Sequence, residues 1–131
     1  MKKTRLKKQS KQPISKIQRD IWKIVKPIVI KLYGNNCYTC PAKNLQGVNC
    51  QLGHVPYPKS ILGAYLKYDI RCLRIQCYSC NINKGGMGAE AYKRMLREEG
   101  KAYMDKLEED RRKLVNAYDH YSSLLQYYKD L

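Results

Sequence analysis

From Ile14 to Tyr33 the apolar residues fall at Ile14, Ile17, Ile21, Val25, Ile28 and Leu32, every spacing three or four. That period predicts a helix with one apolar face. Lys16, Arg19, Lys23, Lys26 and Lys31 take the other faces. Pro27 should kink or restart this helix, because it lacks an N–H and crowds the preceding turn. Gly34-Asn35-Asn36 then ends it. Residues 37–80 lose the period. Pro41, Gly47, Gly53, Pro56, Pro58 and Gly63 exclude a long helix and predict short strands and loops, with an extended segment within 66–76. Helical spacing returns from about Ala89 to Glu99, and Gly100 breaks it. From Lys101 to about Tyr128 the chain reads as one long helix. Met104, Leu107, Arg111, Leu114, Tyr118, Tyr121, Leu125 and Tyr128 alternate by three and four, with Arg111 the polar exception. Such a heptad-like stripe serves either to pack on its own domain or as a dimer seam.

Charge is unevenly spread over these elements. Residues 1–33 carry 11 Lys/Arg against one acid, residues 34–88 carry 6 against one, and residues 89–131 carry 9 against 9. The whole surplus of +15 therefore lies on the first two thirds. A regional excess of this kind is the footprint of a surface that faces a polyanion. The segment 1–12 is basic with almost nothing to bury, and is expected to be a disordered arm. No apolar stretch of signal-peptide type follows it. The run Ile28-Val29-Ile30 is far too short to span a bilayer. A cytoplasmic protein with no membrane partner is expected.

The chain has no Phe and one Trp among 131 residues, so its core is thin. Domains this small often need a metal or disulfides. Two Cys-x-x-Cys pairs, Cys37/Cys40 and Cys77/Cys80, stand 36 residues apart. In a reducing compartment such pairs read as metal ligands before disulfides. Four thiolates in two knuckles are the ligand set of a structural Zn²⁺, closed and without an open position for water. Any catalysis must therefore sit elsewhere. Cys50 and Cys72 are left over as small buried residues.

His54 lies between the knuckles, within Leu52-Gly53-His54. It is followed by Leu66-Lys67-Tyr68, by Gln76-Cys77-Tyr78-Ser79-Cys80-Asn81, by Lys84-Gly85, and by Tyr92, Leu96 and Gly100. Over about residues 14–110 this pattern resembles the NinG/Rap family of phage recombination endonucleases. The resemblance is specific in the Gly53-His54 and Gln76–Asn81 blocks. It implies an α+β fold of the HNH (ββα-metal) type on a treble-clef zinc scaffold. It also implies a nuclease acting on branched DNA, Holliday junctions and D-loops, in the host cell cytosol. The pattern departs from the wider HNH group at Gly53, where an Asp metal ligand is common, and at Cys72, where an Asn is expected.

The residues fit that chemistry on their own terms. Phosphodiester hydrolysis needs a base for water, a cation for the leaving oxygen and positive groups for the phosphate. An imidazole near its ordinary pKa of about 6.5 suits the first role, which points to His54 as base or, alternatively, as a ligand of the catalytic metal. Asn81, directly after a zinc-knuckle cysteine, is expected to be held beside His54 and offers a hard oxygen for Mg²⁺ or Mn²⁺, with Gln51 and Asp69 as further ligand candidates. Lys84, Arg71, Arg74, Lys59 and Lys23 are the expected phosphate contacts. The organisation read from sequence is a basic arm over 1–12, a zinc-stabilised nuclease domain over 13–100 and a C-terminal helix over 101–131. The rival class is a non-catalytic zinc module that binds nucleic acid.

Overall fold

Helix α1 (Ile14–Tyr33) forms on the face the periodicity predicts, with Ile17, Ile21 and Val25 buried. In the computed structural model, which describes residues 12–131, the helix runs through Pro27 without interruption. Pro27 sits on the exposed side, so its ring meets solvent and the packing on either side of it holds the helix together. Toward the C-terminus the buried face moves to Val29, while Leu32 is exposed. The expected basic arm lies, except for its last residue, outside the described residues.

Strand β1 (Gln51–His54) pairs antiparallel with β2 (Leu73–Gln76), so that Gly53 faces Arg74 and His54 faces Leu73. Helix α2 (Lys59–Leu66) lies between the strands and was not foreseen. It is broken at Gly63, whose φ is 73°. Helices α3 (Gly88–Glu99) and α4 (Lys101–Asp110) follow, separated at Gly100 as expected. The fold is α+β.

Residues 101–128 are not one helix. Helix α4 ends at Asp110, and α5 (Ala117–Lys129) starts afresh after Asn116, whose side chain accepts a bond from the Asp119 N–H. Leu114, in the break, is 95% exposed. The stripe splits between two cores. Tyr121, Leu125 and Tyr128 join α1, Leu52, Leu73 and Ile75 in the first. Met104 and Leu107 join Leu62, Leu66, Val55, Cys72, Ala91 and Met95 in the second. Apart from the exposed Leu114, the apolar part of the stripe packs inside this chain. Full burial of each such side chain contributes roughly 1.5–3 kcal/mol, so α5 is part of the fold, not an appendage to it.

No helix among the described residues is long and apolar enough to cross a membrane. Gly63 shows how tightly α2 meets the end of α4: a Cβ there would lie 2.8 Å from the Arg111 carbonyl oxygen. Together with the positive φ, this makes Gly63→Ala cost about 2 kcal/mol or more. A urea midpoint unchanged in that variant would show that the contact is not made in solution.

Candidate functional site

The candidate metal centre is built from two backbone turns. The first knuckle follows α1, and the Cys37 N–H donates to the Ala42 carbonyl at 2.9 Å. The second leaves the end of β2 at Cys77 and places Cys80 in a short helical turn, Ser79–Asn83. The four Sγ atoms of Cys37, Cys40, Cys77 and Cys80 lie within 4.8 Å of one another. Cys40 Sγ and Cys77 Sγ are 3.7 Å apart. A tetrahedron of Zn–S bonds near 2.3 Å has S···S edges of about 3.8 Å, so the spacing fits the ion. Backbone N–H groups of Ala42 and Cys80 point at Cys40 Sγ and Cys77 Sγ, at 3.5 and 3.4 Å. Burial opposes ionisation of Cys37, but backbone and hydroxyl bonds from Cys77 and Thr39 outweigh it and bring the thiol down to about 6. Cys72 is fully buried, and burial pushes its thiol up to about 12. It is a core residue.

His54 closes β1 on the face that meets α1. Its ring stacks on Trp22 at 5.1 Å and lies 6.4 Å from Tyr68. Its Nε2 is 3.0 Å from the Lys67 carbonyl oxygen. A carbonyl only accepts, so Nε2 carries the proton and Nδ1 keeps its lone pair. Burial, then the nearby charges of Lys59 and Lys67, lowers the imidazole to about 4, which corrects the expected value near 6.5 and makes Nδ1 a weaker proton acceptor. His54 opens onto a groove of about 630 Å³ lined by Arg19, Lys23, Lys59, Lys67, Trp22 and Tyr68, with no carboxylate among its walls. Lys67 is itself held below its ordinary value, first by burial and then by Lys59. These cations repel one another, and a bound anion would relieve them.

A pH titration follows from this site. Between about 6.5 and about 4 the unfolded chain binds a proton at residue 54 that the native chain does not. Stability is therefore greatest above pH 6.5 and falls as pH drops through that window. In ¹H–¹³C spectra the His54 ring signal, identified by its loss in His54→Gln, is expected to move only near pH 4. A midpoint at 6.5 would contradict the buried, neutral ring.

Asn81 lies elsewhere. By the pairing register, residues 51, 53, 74 and 76 share the other face of the ribbon. There Gly53 leaves a gap: a Cβ at residue 53 would sit 2.0 Å from Gln76 Oε1 and 3.0 Å from Asn81 Oδ1. Gln76 is fully buried, and its Nε2 donates to Thr39 Oγ1 and the Gly86 carbonyl at 3.0 and 2.7 Å. Its Oε1 has no partner. Asn81 Nδ2 donates to Gln51 Oε1 at 3.2 Å. The expected side-by-side placing of His54 and Asn81 is therefore corrected: the ribbon stands between ring and amide, because alternate residues of a strand face opposite ways.

Of the expected phosphate contacts, Lys23 and Lys59 line the His54 groove. Lys84 is exposed just after the Asn81 turn. Arg71 and Arg74 are corrected. Arg71 bonds Asp69 at 3.0 Å and the buried Asp110 at 3.1 Å, which commits Arg71 and Asp69 to an internal ion-pair network and removes Asp69 as a metal ligand. Arg74 is 1% exposed, donates to the Ile70 and Leu73 carbonyls, and lies over the Tyr33 ring at 4.0 Å. Arg74 is therefore not presented to a ligand, while Arg71 is partly exposed but has its guanidinium engaged by two carboxylates. Trp22, Arg19, Lys67, Tyr68 and Gln76 were missed. The signal for the first two was in the sequence, since Arg19, Trp22 and Lys23 share one side of α1 at helical spacing.

No protein-family model, curated protein or solved structure matches this chain.

Proposed function

We propose that this protein is a zinc-stabilised, HNH-like endonuclease that hydrolyses DNA phosphodiesters in branched recombination intermediates. The observation that carries the reading is His54: a neutral imidazole with its Nε2 proton fixed by the Lys67 carbonyl, set in a groove walled by four cations. In this reading His54 Nδ1 accepts a proton from the attacking water. Arg19, Lys23, Lys59 and Lys67 hold the non-bridging oxygens, where charge grows in the transition state. The zinc site fixes the turn bearing Asn81 and takes no part in the chemistry, its four positions being filled by sulfur. The treble-clef arrangement belongs to the same reading.

A Mg²⁺ or Mn²⁺ ion would supply Lewis-acid stabilisation of the leaving oxygen. Asn81 Oδ1 and the orphaned Gln76 Oε1 are hard donors by type, but they lie across the ribbon from His54, so an ion held there would not reach the phosphate that His54 serves. Resolving a four-way junction takes two cuts, and the reading therefore calls for two protomers. Their contact must use a surface other than the buried stripe. The place of action is the cytosol of the cell that holds the DNA.

The opposite facing of His54 and Asn81 favours one alternative, a zinc module that binds nucleic acid without cutting it. The two readings separate on a labelled four-way junction and a matching linear duplex, each with Mg²⁺ or Mn²⁺. The nuclease reading expects nicking of the junction well above that of the duplex. Tight binding with no cut in either metal would leave only the binding module.

A further inference from the structure

Trp22 is the sole tryptophan of the chain, and its indole borders two grooves at once. One is the His54 groove. The other, of about 500 Å³, runs along the outer side of α1 and is lined by Trp22, Lys23, Lys26, Pro27, Ile30 and Lys31. Its floor is apolar, and the charged groups among its walls are all lysines. Trp22 and Lys23 line both grooves, so the two adjoin at the indole.

We propose that these two adjoining grooves bind an unpaired DNA strand, with a base stacked on Trp22 and its phosphates on the α1 lysines. The inference rests on the reading of the His54 groove as a backbone site and narrows its substrate: the part of a branch that is recognised is its unpaired strand. An aromatic ring flanked by cations over an apolar floor is what a single strand requires, because its bases offer π-faces that a duplex hides. A duplex meets the same lysines but has no free base for the indole. An acidic peptide would satisfy the lysines and leave the apolar floor unused. From Arg19 to Lys31 the helix rises about 18 Å, room for about five nucleotides at a stacked rise of roughly 3.4 Å. His54 covers one side of the indole at 5.1 Å, and Tyr68 meets it edge-on at 5.8 Å, so the ring is held in place before any strand arrives. Little ordering of the ring then remains to oppose binding.

The test uses the full chain with zinc and no added Mg²⁺ or Mn²⁺, and reads binding alone. Because there is one tryptophan, its fluorescence reports this site only. Titration with a dodecamer of thymidylate is expected to quench the emission strongly and saturably. A blunt duplex of equal length, heparin and polyglutamate are expected to bind with little quenching. In anisotropy with labelled oligomers, Trp22→Ala should weaken single-strand binding roughly 5- to 100-fold and duplex binding little, with Trp22→Tyr close to wild type. Lys26→Glu and Lys31→Glu lie on the outer groove, away from His54, and should weaken the single strand even if Trp22→Ala folds poorly. Equal quenching by heparin or polyglutamate, or equal loss for strand and duplex in Trp22→Ala, would overturn the proposal. Single-strand quenching without cleavage of any DNA removes the nuclease reading and leaves this one standing. Cleavage with a silent Trp22 does the reverse.

Discussion

Replacing Cys80 with serine, or stripping the metal with a chelator, is expected to unfold the first knuckle and the β2 turn and to bring down most of the domain with them. An ion on the four sulfurs would tie the loop after α1 to the end of β2 far more strongly than the hydrogen bonds that join them, from the Tyr38 N–H to the Ile75 carbonyl and from Gln76 to Thr39. Thiolate ligation of zinc contributes roughly 10–16 kcal/mol of apparent free energy in small zinc domains. A domain's whole net stability is about 5–15 kcal/mol. The loss therefore equals or exceeds what keeps the chain folded. The remaining sheet has only two strands of four residues, too little to stand without packing on both faces. Purified protein should carry one zinc per chain by elemental analysis. Cys80→Ser should lose the metal, the cooperative thermal transition and much of the helical circular dichroism. Cys50→Ser, in a cysteine outside the cluster, should keep the zinc. Full cooperativity in metal-free protein would dispose of the structural role.

The four-cysteine cluster was legible because knuckle spacing is local: two residues between cysteines fix the geometry whatever the rest of the chain does. Helix α1 was legible because a single apolar face of 20 residues outweighs one proline. The tail misled for a physical reason. Helices α4 and α5 each place apolar residues at three-four spacing, and the break between them happens to keep the phase. The polar Arg111 and the capping Asn116 were the clues, with no Gly or Pro to announce the end. Arg71 and Arg74 misled because charge alone was taken to mean exposure: Arg71, in the turn before β2, is engaged by Asp69 and Asp110, and Arg74 lies within β2. Here a two-stranded ribbon is covered on both faces, so Arg74 turns inward to carbonyls and rings. The facing of His54 depended on register with β2, a contact between residues about 20 apart, and no local pattern in β1 records it.

His54→Gln is expected to lower the rate of junction cleavage by roughly 10²- to 10⁴-fold, the range for loss of a general acid or base, while leaving junction binding within a few-fold. Glutamine keeps an N–H able to reach the Lys67 carbonyl, so the local hydrogen bond survives. What it removes is the basic lone pair at Nδ1. His54→Ala should match it in rate and do worse in stability, since it also strips the ring stacked on Trp22 and leaves a cavity at the groove floor. The contrast between the variants isolates chemistry from packing. A base acts after the substrate is seated, so the loss must fall in kcat with KM nearly unchanged. A loss confined to KM would make His54 a binding residue and shift the mechanism to the non-catalytic reading. Full cleavage by His54→Gln would remove the imidazole from the reaction altogether. The Asn81–Gln76 pair on the other face of the ribbon would then be the one remaining place for a metal to do the cutting.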